Sequence, residues 1–289
     1  MKIPFTGLQK QYNRLRAEVL DTIDIVLRSG QLMDGNYTQE FEFWLAKRNH
    51  NDHAITVASG TQALEALASY YYKLLNLHRP QVIIPNLTFR ATANAWVNAG
   101  WEVVVADTDN HGMLDINSIP KHHDNNMAVC LVGLYGNSLK NYRAKKFKDL
   151  VAEHDWILVE DAAQHWLSWN SKRIAPSAIS FDPTKNLANY GNGGAVINSS
   201  NVKEHCFHKF VIDADKGRGS LQQCLREVGI DTKVHYQYGI NEIGSFQGVQ
   251  PLLAASTSLS RRVLSLPIYP ELTDLEVEYV IDQVIHNTQ

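Results

Sequence analysis

Between Ala54 and Ile197 the chain repeats one texture, in which short apolar runs rich in β-branched residues are separated by stretches of helical periodicity. The runs are Ala54–Ala58, Val82–Ile84, Val103–Ala106, Ala128–Leu134, Ile157–Val159, Ala178–Phe181 and Ala195–Ile197. Helical spacing fills several of the gaps, at Thr61–Leu75, Thr92–Ala99 and Ala144–His154. Strands that are apolar throughout are covered on both faces, and intervening helices supply the crossovers that parallel pairing needs. The order therefore predicts an α/β fold with a mostly parallel central sheet and helices on both faces. Two further helices come first. Tyr12–Arg28 carries Leu15, Val19, Ile23, Val26 and Leu27 at helical spacing and stops at Ser29-Gly30, and Thr38–Arg48 sets Phe41, Trp44 and Leu45 on one face.

From about Ser199 the alternation weakens. Arg218–Val228 reads as a helix, Lys233–Tyr238 as a strand, and Leu275–Ile285 as a terminal helix behind the Pro267–Pro270 turn. The expected division is 1–198 for the N-terminal helices and large domain, and 199–289 for a linker and a small C-terminal α+β domain. Composition narrows the function classes. With 27 basic and 30 acidic residues the chain has no electrostatic footprint for nucleic acid or an anionic membrane. No apolar stretch approaches the roughly 20 residues that span a bilayer, and Met1-Lys2-Ile3-Pro4-Phe5-Thr6 lacks the pattern of a signal peptide. Cys130, Cys206 and Cys224 show no CxxC spacing, and the histidines no HExxH; His122-His123 sits in a polar stretch and is expected to be exposed. A soluble cytoplasmic enzyme without a metal is the expectation.

Three strand-end motifs carry possible chemistry, each with a plain alternative. In Ser59-Gly60-Thr61-Gln62-Ala63-Leu64 a strand turns into a helix whose N-terminus, with its partial positive charge and free N–H groups, suits a phosphate; it is equally an ordinary N-cap. In Val159-Glu160-Asp161-Ala162-Ala163-Gln164 the two carboxylates face opposite sides of a strand, which argues against a paired-carboxylate mechanism. Asp161 alone suits a protonated ring nitrogen, or simply ends a strand in solvent. Lys185, in Ser180-Phe181-Asp182-Pro183-Thr184-Lys185-Asn186-Leu187, is either an amine nucleophile of lowered pKa or a surface charge. The glycines of Gly191-Asn192-Gly193-Gly194 also describe a hairpin turn.

In their order and spacing these pieces resemble the DegT/StrS family of sugar aminotransferases, which are pyridoxal phosphate (PLP) enzymes of fold type I. The resemblance runs nearly end to end. It takes in Ile3-Pro4-Phe5, Phe41-Glu42, Ser59–Leu64, Pro85–Phe89 with Ala91–Ala95, Leu134-Tyr135-Gly136, Glu160–Gln164, Ser180-Phe181 with Thr184–Leu187, and Gly193-Gly194-Ala195. Near the C-terminus Gly229–Thr232 with Val234-His235-Tyr236, and Leu264–Pro267, continue it. The resemblance implies that Lys185 forms a Schiff base with pyridoxal 5'-phosphate and then carries the proton, and that Asp161 keeps the ring nitrogen protonated. Gln164 would approach the ring's phenolic oxygen, and Phe89 would stack on the cofactor. Ser59, Gly60, Thr61 and Ser180 would hold the phosphate. His235 and Tyr236 are candidate substrate residues. Relatives with histidine in place of the lysine are dehydratases, so the lysine implies transamination from an amino donor to a keto acceptor on a nucleotide-linked sugar, in a homodimer.

The chain departs from the family pattern in two places. It is short, and the gap falls between Asn198 and about Gly217, where the family carries a Gly-x-Asn-x-Arg motif whose Asn reaches the partner's cofactor phosphate. Arg90 stands where the family has an apolar residue, and is a candidate anchor for a substrate anion or a surface residue. Two alternatives follow from the missing segment: a more open pocket for small amines, diamines or basic amino acids, and a catalytically idle PLP-binding or regulatory relative. A nucleotide-binding Rossmann protein is disfavoured, since no GxGxxG follows a strand.

Overall fold

The seven runs expected as strands pair into one sheet in this computed structural model, which describes residues 2–51, 53–75, 78–120, 127–137, 141–165, 174–197, 209–246 and 253–288. His122-His123, Cys206 and residues 198–208 of the expected linker lie outside the described residues. The strands are β1 (Ala54–Val57), β2 (Gln81–Pro85), β3 (Glu102–Ala106), β4 (Met127–Val132), β5 (Ile157–Asp161), β6 (Ser177–Ser180) and β7 (Gly194–Ile197). Their order is β1-β7-β6-β5-β4-β2-β3, with β7 antiparallel to both neighbours and the pairs from β6 to β3 parallel.

The pleat sorts the apolar runs onto two faces. Val82, Ile84, Ala128, Cys130 and Val159 pack with the helices α3 (Gly60–Leu74) and α4 (Arg90–Asn98). Their neighbours Ile83, Val129 and Leu131 pack on the opposite side with α5 (Asn141–His154). This is the period-two alternation of a sheet buried on both faces, and it explains why the runs are apolar at every position. Trp96 and Trp101 meet edge to face at 4.9 Å between α3 and α4, and the Trp101 Nε1–H donates to the Ala68 carbonyl at 3.0 Å.

The expected N-terminal helices are present as α1 (Leu8–Ser29) and α2 (Asn36–Arg48). Glu42 of α2 accepts from the Thr56 N–H and hydroxyl at 2.6 and 2.8 Å, which ties the helix to β1. No residue of α1 is buried.

Beyond the large sheet, β8 (Phe210–Asp213) and β9 (Val263–Leu266) form an antiparallel pair, flanked by α6 (Arg218–Glu227), α7 (Ala254–Arg262) and α8 (Asp274–Thr288). Leu221, Leu225, Ile230, Leu264, Leu266 and Val280 form their own apolar cluster, joined by Ile3 from the N-terminal segment. The strand expected over Lys233–Tyr238 is a single bridge, Lys233 to Ser265. After that one pair the His235 ring stays with Ser265 of β9, while the Tyr236 hydroxyl reaches Gln164 beside the large sheet.

Candidate active site

Parallel strands end on the same edge of a sheet, so β2, β4, β5 and β6 deliver the residues that follow them to one place. There lies a cavity of about 460 Å³, lined by Ser59, Gly60, Thr61, Phe89, Asp161, Gln164, Ser180, Lys185, His235 and Tyr236. Every site residue expected from the sequence is among them except Arg90, which is exposed at the first position of α4 and does not line the cavity. That position points the anion-anchor expectation for Arg90 away from the cavity, since the side chain stands in solvent.

One end of the cavity is formed by a helix start. Ser59 caps α3, its Oγ accepting from the Gln62 N–H at 3.1 Å. The N–H groups of Gly60 and Thr61 have no acceptor among the described residues, as expected of a helix start. Glycine is required at two positions here. A Cβ on Gly60 would stand 2.7 Å from the Ser180 Cβ, and one on Gly194 would stand 2.3 Å from the Ser59 carbonyl carbon. Strand β7 and the start of α3 thus approach backbone to backbone, with Ser180 beside them, where Gly60 and Thr61 line the cavity.

Asp161 ends β5 and is buried. Its Oδ2 accepts from the Thr92 hydroxyl at 2.7 Å and its Oδ1 from the Ala163 N–H at 3.1 Å, while Thr92 is bonded in turn to Thr88 at 2.9 Å. Burial pushes its carboxyl above the usual carboxylate range, opposed by these hydrogen bonds and by the nearby Lys185 charge. Glu160, on the opposite side of the strand, accepts from Ser177 at 2.9 Å and faces His165 at 3.2 Å, so the two carboxylates do not act together. Gln164 is fixed between two partners: its Oε1 accepts from the Tyr135 N–H at 2.9 Å and its Nε2–H donates to the Tyr236 hydroxyl at 3.1 Å. Phe89 leaves its ring nearly half exposed over the cavity, 5.8 Å from Tyr236.

Lys185 follows β6 in a tight turn in which its N–H donates to the Asp182 carbonyl at 2.8 Å and Thr184 donates twice to the Asp182 carboxylate. It is half-buried, and burial holds its ammonium below the ordinary lysine range against the attraction of Asp161 and Asp182. The sequence reading missed a second lysine in the same cavity. Lys209 is 7% exposed, directly precedes β8, and its N–H donates to the Tyr135 carbonyl at 3.1 Å. Burial, and next the Lys185 charge, bring it down to about 8. His235 stacks on Phe5 at 5.6 Å, bonds Ser265 through Nδ1 at 2.9 Å, and accepts from the Tyr135 hydroxyl through its carbonyl. Burial, then the charges of Lys209, Lys185 and Lys233, take its imidazole down to about 3, so it stays neutral. Thr92 and Tyr135 fall in stretches that the sequence reading quoted without giving them roles; a strand expected over Phe210–Asp213 would have brought Lys209 to notice.

The chain matches the DegT/DnrJ/EryC1/StrS aminotransferase family over residues 13–206 and 198–285. The two stretches meet where the sequence reading placed the missing segment. A dTDP-3-amino-3,4,6-trideoxy-alpha-D-glucose transaminase of Streptomyces venezuelae is 33% identical over 98% of this chain and 95% of its own. That alignment extends over 369 positions, well beyond the 289 residues here, so the relative carries inserted segments. A pleiotropic regulatory protein of Geobacillus stearothermophilus is 24% identical over 98% of both chains. Among solved structures, S. venezuelae DesV in complex with a ketimine intermediate superposes with a TM-score of 0.88 at 25% identity, covering 100% of this chain and 99% of its own. NtdA of Bacillus subtilis with bound cofactor PMP gives a TM-score of 0.84 at 20% identity, over 99% of this chain and 85% of its own.

Proposed function

Because the chain belongs to the DegT/DnrJ/EryC1/StrS aminotransferase family, we propose that it moves an amino group from an amino donor to the keto carbon of a nucleotide-linked sugar, using pyridoxal 5'-phosphate held at Lys185. One observation carries this reading: an amine, a buried carboxylate and an open helix start line a single cavity. These donors fit the cofactor. The free N–H groups of Gly60 and Thr61, with the Ser59 and Ser180 hydroxyls, would hold its phosphate, Asp161 its ring nitrogen and Lys185 its carbonyl carbon. The S. venezuelae relative, named for a dTDP-linked amino sugar, supports the acceptor class. A neighbouring cavity of about 390 Å³, between Thr6–Leu8 and Ile268–Glu271, also reaches Lys185 and adds room for a large acceptor.

When bound, the cofactor supplies an electrophilic carbon for the amino group and a ring that spreads the negative charge developing at the donor's α-carbon. The chain's part is positional and electrostatic. The Lys185 Nζ, its basicity lowered by burial, takes the α-carbon proton and returns it on the far side of the exchange. Asp161 would hold a proton on the ring nitrogen by charge, its carboxylate kept in place by the Thr92 hydroxyl. Gln164, held by Tyr135 and Tyr236, would offer its amide to the ring, and Phe89 would lie against it.

We also propose a homodimer in the cytoplasm. The 22-residue α1 buries none of its residues and exposes Leu20, Ile23, Ile25 and Leu27, which favours a second copy against it. Among the described residues no helix is long and apolar enough to cross a membrane. The division into a large domain over 1–198 and a small one over 199–289 remains part of the proposal, supported by the separate apolar cluster around Leu264. Adding pyridoxal phosphate to the purified chain should give a visible absorbance band that an amino donor bleaches and a keto acceptor restores. A band that no donor bleaches contradicts the proposal and favours the idle relative.

A further inference from the structure

The cavity holds one more cation than the exchange needs. Lys209 is 7% exposed, and no carboxylate of the described residues lies within ion-pairing distance of its ammonium. Its Nζ stands 5.6 Å over the Phe5 ring, with Lys185 repelling it and Asp182 the one acid that attracts it. A buried charge without a partner is unfavourable, and such a group is explained when a ligand brings the missing opposite charge. The anion-receiving helix start belongs to the large sheet, at α3 and β6, whereas Lys209 enters from the start of β8 and His235 from the segment bridged to β9. His235 is neutral and adds no competing charge.

Resting on the function proposed above, with an α-amino acid as donor, we infer that Lys209 is the residue that binds the donor's α-carboxylate. The geometry of the substrate leads to this assignment. In an α-amino acid the carboxylate and the reacting amine sit on the same carbon. A donor reacting at Lys185 therefore brings its carboxylate within a few bond lengths of that lysine, where a second cation already stands. This narrows the sequence expectation of an open pocket for diamines: an amine lacking the carboxylate leaves Lys209 unpaired and is rejected. A phosphate of the nucleotide-linked acceptor is the other anion that a lysine here would take, and the test separates the two.

The experiment compares wild type, Lys209→Met and Lys209→Arg, all loaded with pyridoxal phosphate, on paired donors: L-lysine against cadaverine, and L-alanine against ethylamine. Wild type should favour the carboxylated member about 100-fold in kcat/KM, the range for a buried charge pair. Lys209→Met should lose most of that preference through the donor KM, with the acceptor KM unchanged, and Lys209→Arg should restore part of it. Calorimetric binding of glutarate, a carboxylate without an amine, should weaken at least about 10-fold in Lys209→Met. A wild-type enzyme that uses cadaverine as well as L-lysine overturns the inference, without any variant. So does a Lys209→Met enzyme with an altered acceptor KM alone, which assigns the lysine to the acceptor's phosphate. A wild type that transaminates none of the donors refutes instead the function on which the inference rests.

Discussion

Replacing Lys209 by methionine should make the protein more stable. Burial and the Lys185 charge lower this lysine from its ordinary 10.5 to about 8. At pH 7 it is protonated both folded and unfolded, so the fold bears the whole disadvantage of charging it there, about 3 kcal/mol at 1.36 kcal/mol per tenfold. Methionine has nearly the same reach and no charge, so it fills the space without that cost. A gain of about 3 kcal/mol corresponds to a rise in melting temperature of about 6 °C for a chain of this size. The pH dependence identifies the cause. Since the folded pKa lies below the unfolded one, the unfolded chain holds more protons between about 8 and 10.5, and wild type gains stability as pH rises through that window. The methionine variant lacks this gain, and the two should converge towards the upper end. Urea denaturation at about pH 7 and about pH 10 measures both terms. A variant less stable than wild type by a constant amount at both pH values would refute the reasoning, because it would mean the ammonium has a partner in the folded chain.

Asp161→Asn keeps an acceptor for Thr92 but removes the charge, so single-turnover rates with a bound donor should fall at least about 100-fold while the melting temperature holds; an unchanged rate would reduce Asp161 to a strand-end residue. Gly194→Ala drives a methyl group into the Ser59 backbone, so about 1–3 kcal/mol of stability and at least tenfold in pyridoxal phosphate affinity should be lost. A fluorescence titration matching wild type would show that the helix start is not the anion site. Arg90→Ala should leave kcat/KM within about twofold, because an exposed side chain off the cavity contributes little; a tenfold loss for either substrate would return Arg90 to the site.

The large sheet and the strand-end cluster of Ser59, Asp161 and Lys185 were legible because their signals are local. Ser59–Thr61, Asp161 and Lys185 each sit in a contiguous stretch at a strand end, where a buried apolar run passes abruptly into polar residues. The C-terminal part was harder to read for the opposite reason. Phe210–Asp213 is exposed at both ends and half-buried between, so it lacks the continuous apolar run of the central strands. Val234, Tyr236 and Tyr238 alternate as a strand does, yet Tyr236 is used by Gln164, 72 residues earlier in the chain. Lys209 carried no sequence signal beyond its place before a weakly apolar strand. Its meaning comes from Phe5, Tyr135 and Lys185, which only the fold brings to it.

Two lysines line one cavity, and the proposed function gives them different work: Lys185 would bond the cofactor, while Lys209 would remain a free cation. Reduction of the pyridoxal phosphate-loaded protein with borohydride, followed by peptide mass spectrometry, reads the assignment directly, since it makes the bond between cofactor and lysine permanent. The phosphopyridoxyl group should appear on the peptide containing Lys185 and be absent from Lys185→Ala. A label on Lys209 in wild type, or a label that survives Lys185→Ala at the same yield, would contradict it.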